Sequence, residues 1–179
     1  MTRLDHTLSA LRESGRSGLV TYFAAGDPDP DSCLALLRGL PAAGADVIEL
    51  GMPFSDPVAD GPILQQANAR ALAGGQTLTR TLALVREFRA SEQATPVALM
   101  GYLNPILRHG VEAFIADAAA AGVDGLILID LPVEHADEIG REARAHGIHL
   151  IRMSAPTSED ARLARVLREA SGFVYHIML

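Results

Sequence analysis

At 179 residues the chain is long enough for one domain with a sizeable core, and 49% of its residues are apolar. No apolar run reaches the roughly 18 residues of a membrane span, Met1–Gly15 lacks the continuous apolar segment of a secretory signal, and a net charge of −7 without a basic stripe argues against nucleic acid. All 15 basic residues are arginine, so no side-chain amine is present to form a Schiff base.

Leu4–Ser14 reads as an amphipathic helix. Short apolar runs then follow at Gly18–Ala24, Val47–Gly51, Val97–Tyr102, Gly125–Ile129, Leu150–Met153 and Phe173–Tyr175. They have the near-continuous apolar character of strands buried on both faces of a parallel sheet. Helical patterns separate them at Asp31–Leu40, Ile63–Leu72 with Thr77–Ala90, Val111–Ala121, Val133–Ala145 and Thr157–Ala170. Gly44, Gly122 and Gly147 fall just past helices, where left-handed caps belong. The unit is a repeated β/α pair within one domain, residues 1–179.

The segments leaving the strands carry the information. They are GDPDP (Gly26–Pro30), GMPFSDP (Gly51–Pro57), YLNP (Tyr102–Pro105), DLPVE (Asp130–Glu134) and SAPTSED (Ser154–Asp160). All are polar and rich in proline, and most are acidic. In a β/α barrel such loops at the C-terminal strand ends build the active face. Some of these residues, such as Asp31 and Ser158, are expected simply to cap the next helix.

Capping does not explain a carboxylate inside a strand. Alternation in VIELG places Val47 and Glu49 on one face and Ile48 and Leu50 on the other. No arginine lies between Arg38 and Arg70, and a desolvated carboxylate without a cation has its pKa pushed upward, as acid/base work near neutrality requires. The alternative is a buried structural pair with a distant cation such as Arg152. Asp60 ends a loop stiffened by Pro53 and Pro57. Spacing alone favours an N-cap for the helix opening at Pro62, while two acids from one β/α unit at a barrel mouth point to acid/base chemistry.

His6, His109, His135, His146, His149 and His176 are scattered, only His146 and His149 lie close together, and Cys33 is the one cysteine. No metal site is expected, an internal disulfide is excluded, and a reducing cytoplasm fits.

LVTYFAAGDPDP, AGADVIELGMPFSDPVADGPILQQAN, VALMGYLNPI and GLILIDLPVEH together resemble the tryptophan synthase alpha subunit, in register from Leu4 to about Tyr175. The resemblance implies a (β/α)8 TIM barrel and a lyase that cleaves indole-3-glycerol phosphate to indole and glyceraldehyde 3-phosphate by a retro-aldol reaction in tryptophan biosynthesis. It implies no cofactor in this subunit, with pyridoxal phosphate held by a partner beta subunit in an α2β2 heterotetramer, and a cytoplasmic setting. By motif match Glu49 is the proton-shuttling catalytic group, and Asp60 binds the indole N–H and stabilises positive charge on the ring. Tyr22, Met100, Tyr102, Ile127, Ile129, Met153 and Tyr175 match substrate-pocket positions. Pro53, Phe54, Asp56, Pro57 and Asn104 match the surface that meets the beta subunit.

The pattern supplies about six strands where a TIM barrel has eight, and phosphate sites in such barrels commonly lie after strands 7 and 8. His176-Ile177-Met178-Leu179 does not resemble the family's Ser- and Gly-rich lid. The expectation is an incomplete barrel, a C-terminally truncated member with little lyase activity alone, arising from a shifted reading frame near codon 176. The alternatives are a non-catalytic partner of the beta subunit and a defective frameshift product.

Overall fold

The computed structural model describes residues 1–178; Leu179, the last residue of the run expected to depart from the family, and the Glu169 side chain lie outside the described residues. The six strands β1 (Val20–Ala24), β2 (Val47–Gly51), β3 (Val97–Gly101), β4 (Gly125–Leu128), β5 (His149–Ser154) and β6 (Val174–His176) form one parallel sheet in sequence order. The connecting helices are α2 (Pro30–Gly39), α3 (Pro62–Ala73), α4 (Leu78–Arg89), α5 (Leu103–His109), α6 (Val111–Ala121), α7 (Ala136–Ala145) and α8 (Asp160–Glu169), with α1 (Arg3–Glu13) before the first strand. This is the expected incomplete (β/α)8 barrel, with β1 and β6 at the open edges of the described sheet.

The two faces of the sheet bury different clusters. Ile48, Leu50, Val97, Leu99, Leu126, Leu128 and Leu150 face the helices and pack with Leu37, Val85, Phe88, Phe114 and Ile115. Val47, Ala98, Ile127 and Ile151 face inward and pack with Leu4 of α1, with Met100, Met153 and Tyr175 beside them. Period-2 alternation thus sorts every strand into a helix-facing and a barrel-facing set. Glu49 falls in the second. At the N-terminal strand ends α1 is fastened by a capping box, Asp5 N donating to Thr2 Oγ1 at 3.1 Å and Thr2 N to Asp5 Oδ2 at 2.8 Å. His149, opening β5, reaches the same cap at 2.9 Å from Thr2 Oγ1.

Local chemistry departs from expectation at three places. The cap of α2 is Asp29, which accepts from Ser32 N at 2.9 Å, rather than Asp31. Ser158 does not cap α8, which opens at Asp160; its hydroxyl accepts from Ala155 N at 3.1 Å and closes the preceding turn. YLNP is no open loop but leads into α5, because Pro105 sits in the first turn, where a missing N–H breaks no helical bond.

Candidate active site

Glu49 lies in the middle of β2 with 3% of its surface exposed, in register with Tyr22 on β1 and Ala98 on β3. Burial pushes its carboxyl up to about 7. The proposed structural pair with Arg152 is not what the fold makes. Arg152 occupies the helix-facing side of β5, its Nη2 3.8 Å from Asp137 Oδ1 on α7.

Tyr22 lies in the field of both acids. Its ring lies over Gly51, where a Cβ would stand 2.9 Å from Tyr22 Cζ, so the glycine makes room for it. Burial raises the Tyr22 hydroxyl pKa, and the negative charges of Asp60 and Glu49 raise it further. Tyr175 on β6 is likewise raised by burial and by Glu49. Tyr22, Glu49 and Tyr175 line a cleft of about 280 Å³, with Val20 and Phe173 at its sides. Met100, Ile127 and Met153 continue the same inner face. Ile129, just beyond β4, borders a separate cavity of about 300 Å³ shared with Asp130, Met153 and Arg162.

Asp60 does not cap α3. The cap position is Gly61, without a side-chain bond, and the Asp60 carboxylate instead accepts from Asn68 Nδ2 at 3.1 Å. One turn earlier on the helix, Gln65 Nε2 donates to the Asp60 carbonyl at 2.8 Å. Burial raises the Asp60 carboxyl, against the hydrogen bond from Asn68 and the nearby Tyr102 hydroxyl, which lower it. Asn68 is itself 4% exposed, and no motif or spacing in the sequence singles it out. The available signal was a polar side chain on the otherwise apolar Ala67–Ala71 face.

Tyr102 shares the Met100 face but is spent on the loop. Its hydroxyl accepts from Ala59 N at 2.9 Å and stands near Asp60, and its ring meets Phe54 at 5.5 Å between centroids. Tyr102→Phe is expected to leave the Ala59 N–H without its partner and loosen Pro53–Asp60, at about 1–3 kcal/mol. Hydrogen exchange should show faster exchange confined to that segment; unchanged protection there would contradict the assignment. Pro53, Phe54 and Pro57 are half-buried and Asp56 and Asn104 exposed, with Val58, Ile63 and Leu107 forming exposed apolar neighbours.

The family profile described as "Tryptophan synthase alpha chain" matches residues 8–179. The chain belongs to the tryptophan synthase alpha chain family. Tryptophan synthase subunit alpha from Legionella pneumophila is 44% identical with a TM-score of 0.96, the match covering 99% of this chain and 68% of that one. Tryptophan synthase from M. tuberculosis is 37% identical with a TM-score of 0.92, covering 98% and 70%. A tryptophan synthase complex from Pyrococcus furiosus contains a chain 46% identical with a TM-score of 0.85, covering 89% and 66%. The chain therefore spans about two thirds of the length of these relatives. The tryptophan synthase alpha family is one of lyases that cleave indole-3-glycerol phosphate.

Proposed function

We propose that Glu49 and Asp60 carry the acid/base chemistry of indole-3-glycerol phosphate cleavage on the inner face of this half-barrel. The observation behind the reading is a carboxyl buried inside a strand and pushed up to about 7, sharing Tyr22 with a second, hydrogen-bonded carboxylate. A group with that proton affinity is present in both forms at neutrality and serves as acid and base in turn.

Protonated Glu49 gives its proton to the indole C3. Asp60, kept as an acceptor, takes the hydrogen bond of the ring N–H and offsets the positive charge that develops there. The Glu49 carboxylate then removes the proton of the glycerol hydroxyl. The bond from C3 to the side chain breaks, its electron pair returns to the ring, and indole and glyceraldehyde 3-phosphate separate with Glu49 reprotonated. Tyr22, Met100, Ile127, Met153 and Tyr175 supply the apolar walls for the ring, Ile129 borders the strand mouth, and Tyr102 holds the loop that bears Asp60.

The partner in this reading is a tryptophan synthase beta subunit, which brings the pyridoxal phosphate. A relative from Pyrococcus furiosus forms an a2b2 complex. Pro53, Phe54, Asp56, Pro57 and Asn104, with exposed Val58, Ile63 and Leu107 around them, are the contact surface we assign to it. Among the described residues no helix is long and apolar enough to cross a membrane; a cytoplasmic setting rests on the biosynthetic family.

The test is indole release from indole-3-glycerol phosphate, measured with the chain alone and with beta subunit added. Release that Glu49→Gln and Asp60→Asn each remove supports the reading, and release that survives both overturns it. Capture of beta subunit without release under any condition favours the alternative of a non-catalytic binding partner.

A further inference from the structure

We propose that Asn68 is the positioning residue of Asp60: its buried side-chain amide, fixed on α3, sets the direction of the Asp60 carboxylate and keeps it an acceptor. The inference rests on the role given to Asp60 above and adds the residue through which the fold controls it.

Asp60 sits at the end of a proline-bound loop whose turns close locally, with Val58 N donating to Asp56 O at 2.9 Å and Asp60 N to Pro57 O at 3.0 Å. Those bonds fix the loop backbone but leave the carboxylate free to rotate. α3 removes that freedom from the other side. Gln65 and Asn68 stand three residues apart on one helix face, the first on the Asp60 carbonyl at 2.8 Å and the second on its carboxylate at 3.1 Å. The helix also carries Arg70, whose guanidinium holds Asp27 at 2.8 and 3.0 Å, so α3 is tied to the loop after β1 as well. One rigid element therefore sets two of the loops that border the inner face.

The chemistry of the donor matters. An amide N–H is neutral and cannot be given up, so it satisfies a carboxylate without neutralising it and without competing for the proton that Glu49 moves. A lysine or arginine in its place would pair with the charge that Asp60 must offer to the substrate ring. Burial works against the ionised form of Asp60, and the Asn68 bond opposes burial. The titratable groups facing Asp60 are the hydroxyls of Tyr102, which stands near it, and Tyr22, which feels its charge. Both stay protonated at neutral pH, because burial raises each of them. Asn68 is thus a buried neutral donor whose partner is the catalytic carboxylate itself.

The decisive substitution is Asn68→Leu, which keeps the branching at Cγ and deletes the donor. The first readout is the carboxyl ¹³C titration of Asp60 in the intact chain, which needs no activity. Asn68→Leu should move its midpoint upward. The second is indole release with beta subunit present. Asn68→Leu should lower kcat by about ten- to hundredfold at neutral pH with KM little changed, because a charged hydrogen bond acting in the transition state is lost. The pH at which activity appears should rise along with the Asp60 midpoint. An unmoved Asp60 midpoint in a folded Asn68→Leu chain overturns the proposal. Absence of indole release from the unmutated chain with beta subunit counts against the function proposed above, and the titration still decides this one. Should Asn68→Leu fail to fold, Asn68→Ser, which retains a shorter donor, is expected to give a smaller upward midpoint; the unmutated midpoint in that variant overturns the proposal.

Discussion

Glu49→Gln is expected to stabilise the fold at pH 8 by about 3 kcal/mol and to lower indole formation by roughly 10²–10⁴-fold. In the unfolded chain the carboxyl titrates near 4.5, and in the fold burial holds it up to about 7. Between those values the folded chain binds a proton that the unfolded chain has released. Stability from this group is therefore complete below about pH 4.5 and falls as pH rises to about 7. Above that both states are ionised and the penalty stays constant at about 3 kcal/mol. Glutamine removes the ionisation and with it the slope. Urea unfolding at pH 5 and pH 8 checks this: the wild type should weaken across the interval by more than the variant. Equal slopes would mean that Glu49 is better solvated than its 3% exposure implies. Asp5, Asp29, Asp46 and Glu92 have the opposite sign, each held low mainly by backbone or side-chain hydrogen bonds, and they withdraw stability below about pH 4. A residue whose removal strengthens the fold while ending the chemistry is what an acid placed for function predicts.

Asp124→Ala should cost about 3–5 kcal/mol. The carboxylate has 4% exposure and accepts three bonds, from Arg89 Nη2 at 2.6 Å, Arg3 Nη1 at 3.0 Å and Val97 N at 2.9 Å. These tie α1, the end of α4 and the start of β3 to the entry of β4. Arg89 is buried too, and donates as well to the carbonyls of Gly122, Glu92 and Thr95 at 2.9, 3.2 and 2.7 Å. Removing Asp124 leaves that guanidinium buried without its counter-charge, which costs far more than an exposed ion pair is worth. The exposed pair Arg38–Glu87, at 3.4 Å, is the internal comparison and should cost under about 1 kcal/mol when broken. Denaturant midpoints for the two variants, with unchanged m-values, give the ranking. A loss below about 1 kcal/mol for Asp124→Ala would remove this cluster as the clamp on the N-terminal strand ends.

The clamp and the site lie at opposite ends of the same strands. Val97 opens β3 at the Asp124 network, and Met100 and Tyr102 leave it at the mouth. Stability at one end and chemistry at the other is the division that β/α barrels make between their two faces.

Much of this arrangement was legible in the residues. The six strands, the α/β repeat and the placement of Glu49 on the face opposite Ile48 and Leu50 follow from local periodicity, because side chains in a strand alternate whatever surrounds them. The raised proton affinity of Glu49 follows from the same alternation together with the lack of a nearby arginine in the chain. What the residues left open was decided between segments far apart in sequence. Asp60 reads as a helix cap when only its neighbours are considered, yet the helix it precedes turns Asn68 back onto its carboxylate. The resemblance makes Tyr102 a pocket residue, and only the fold shows its hydroxyl holding a loop 43 residues earlier. Arg152 reads as a partner for Glu49 until the register of β5 turns it to the helix side. YLNP reads as a loop leaving its strand, and α5 absorbs it because Pro105 falls in the first helical turn. Periodicity determines which face a side chain takes within its own element. Which distant group meets it there depends on how the strands are laid side by side, and only the tertiary structure fixes that.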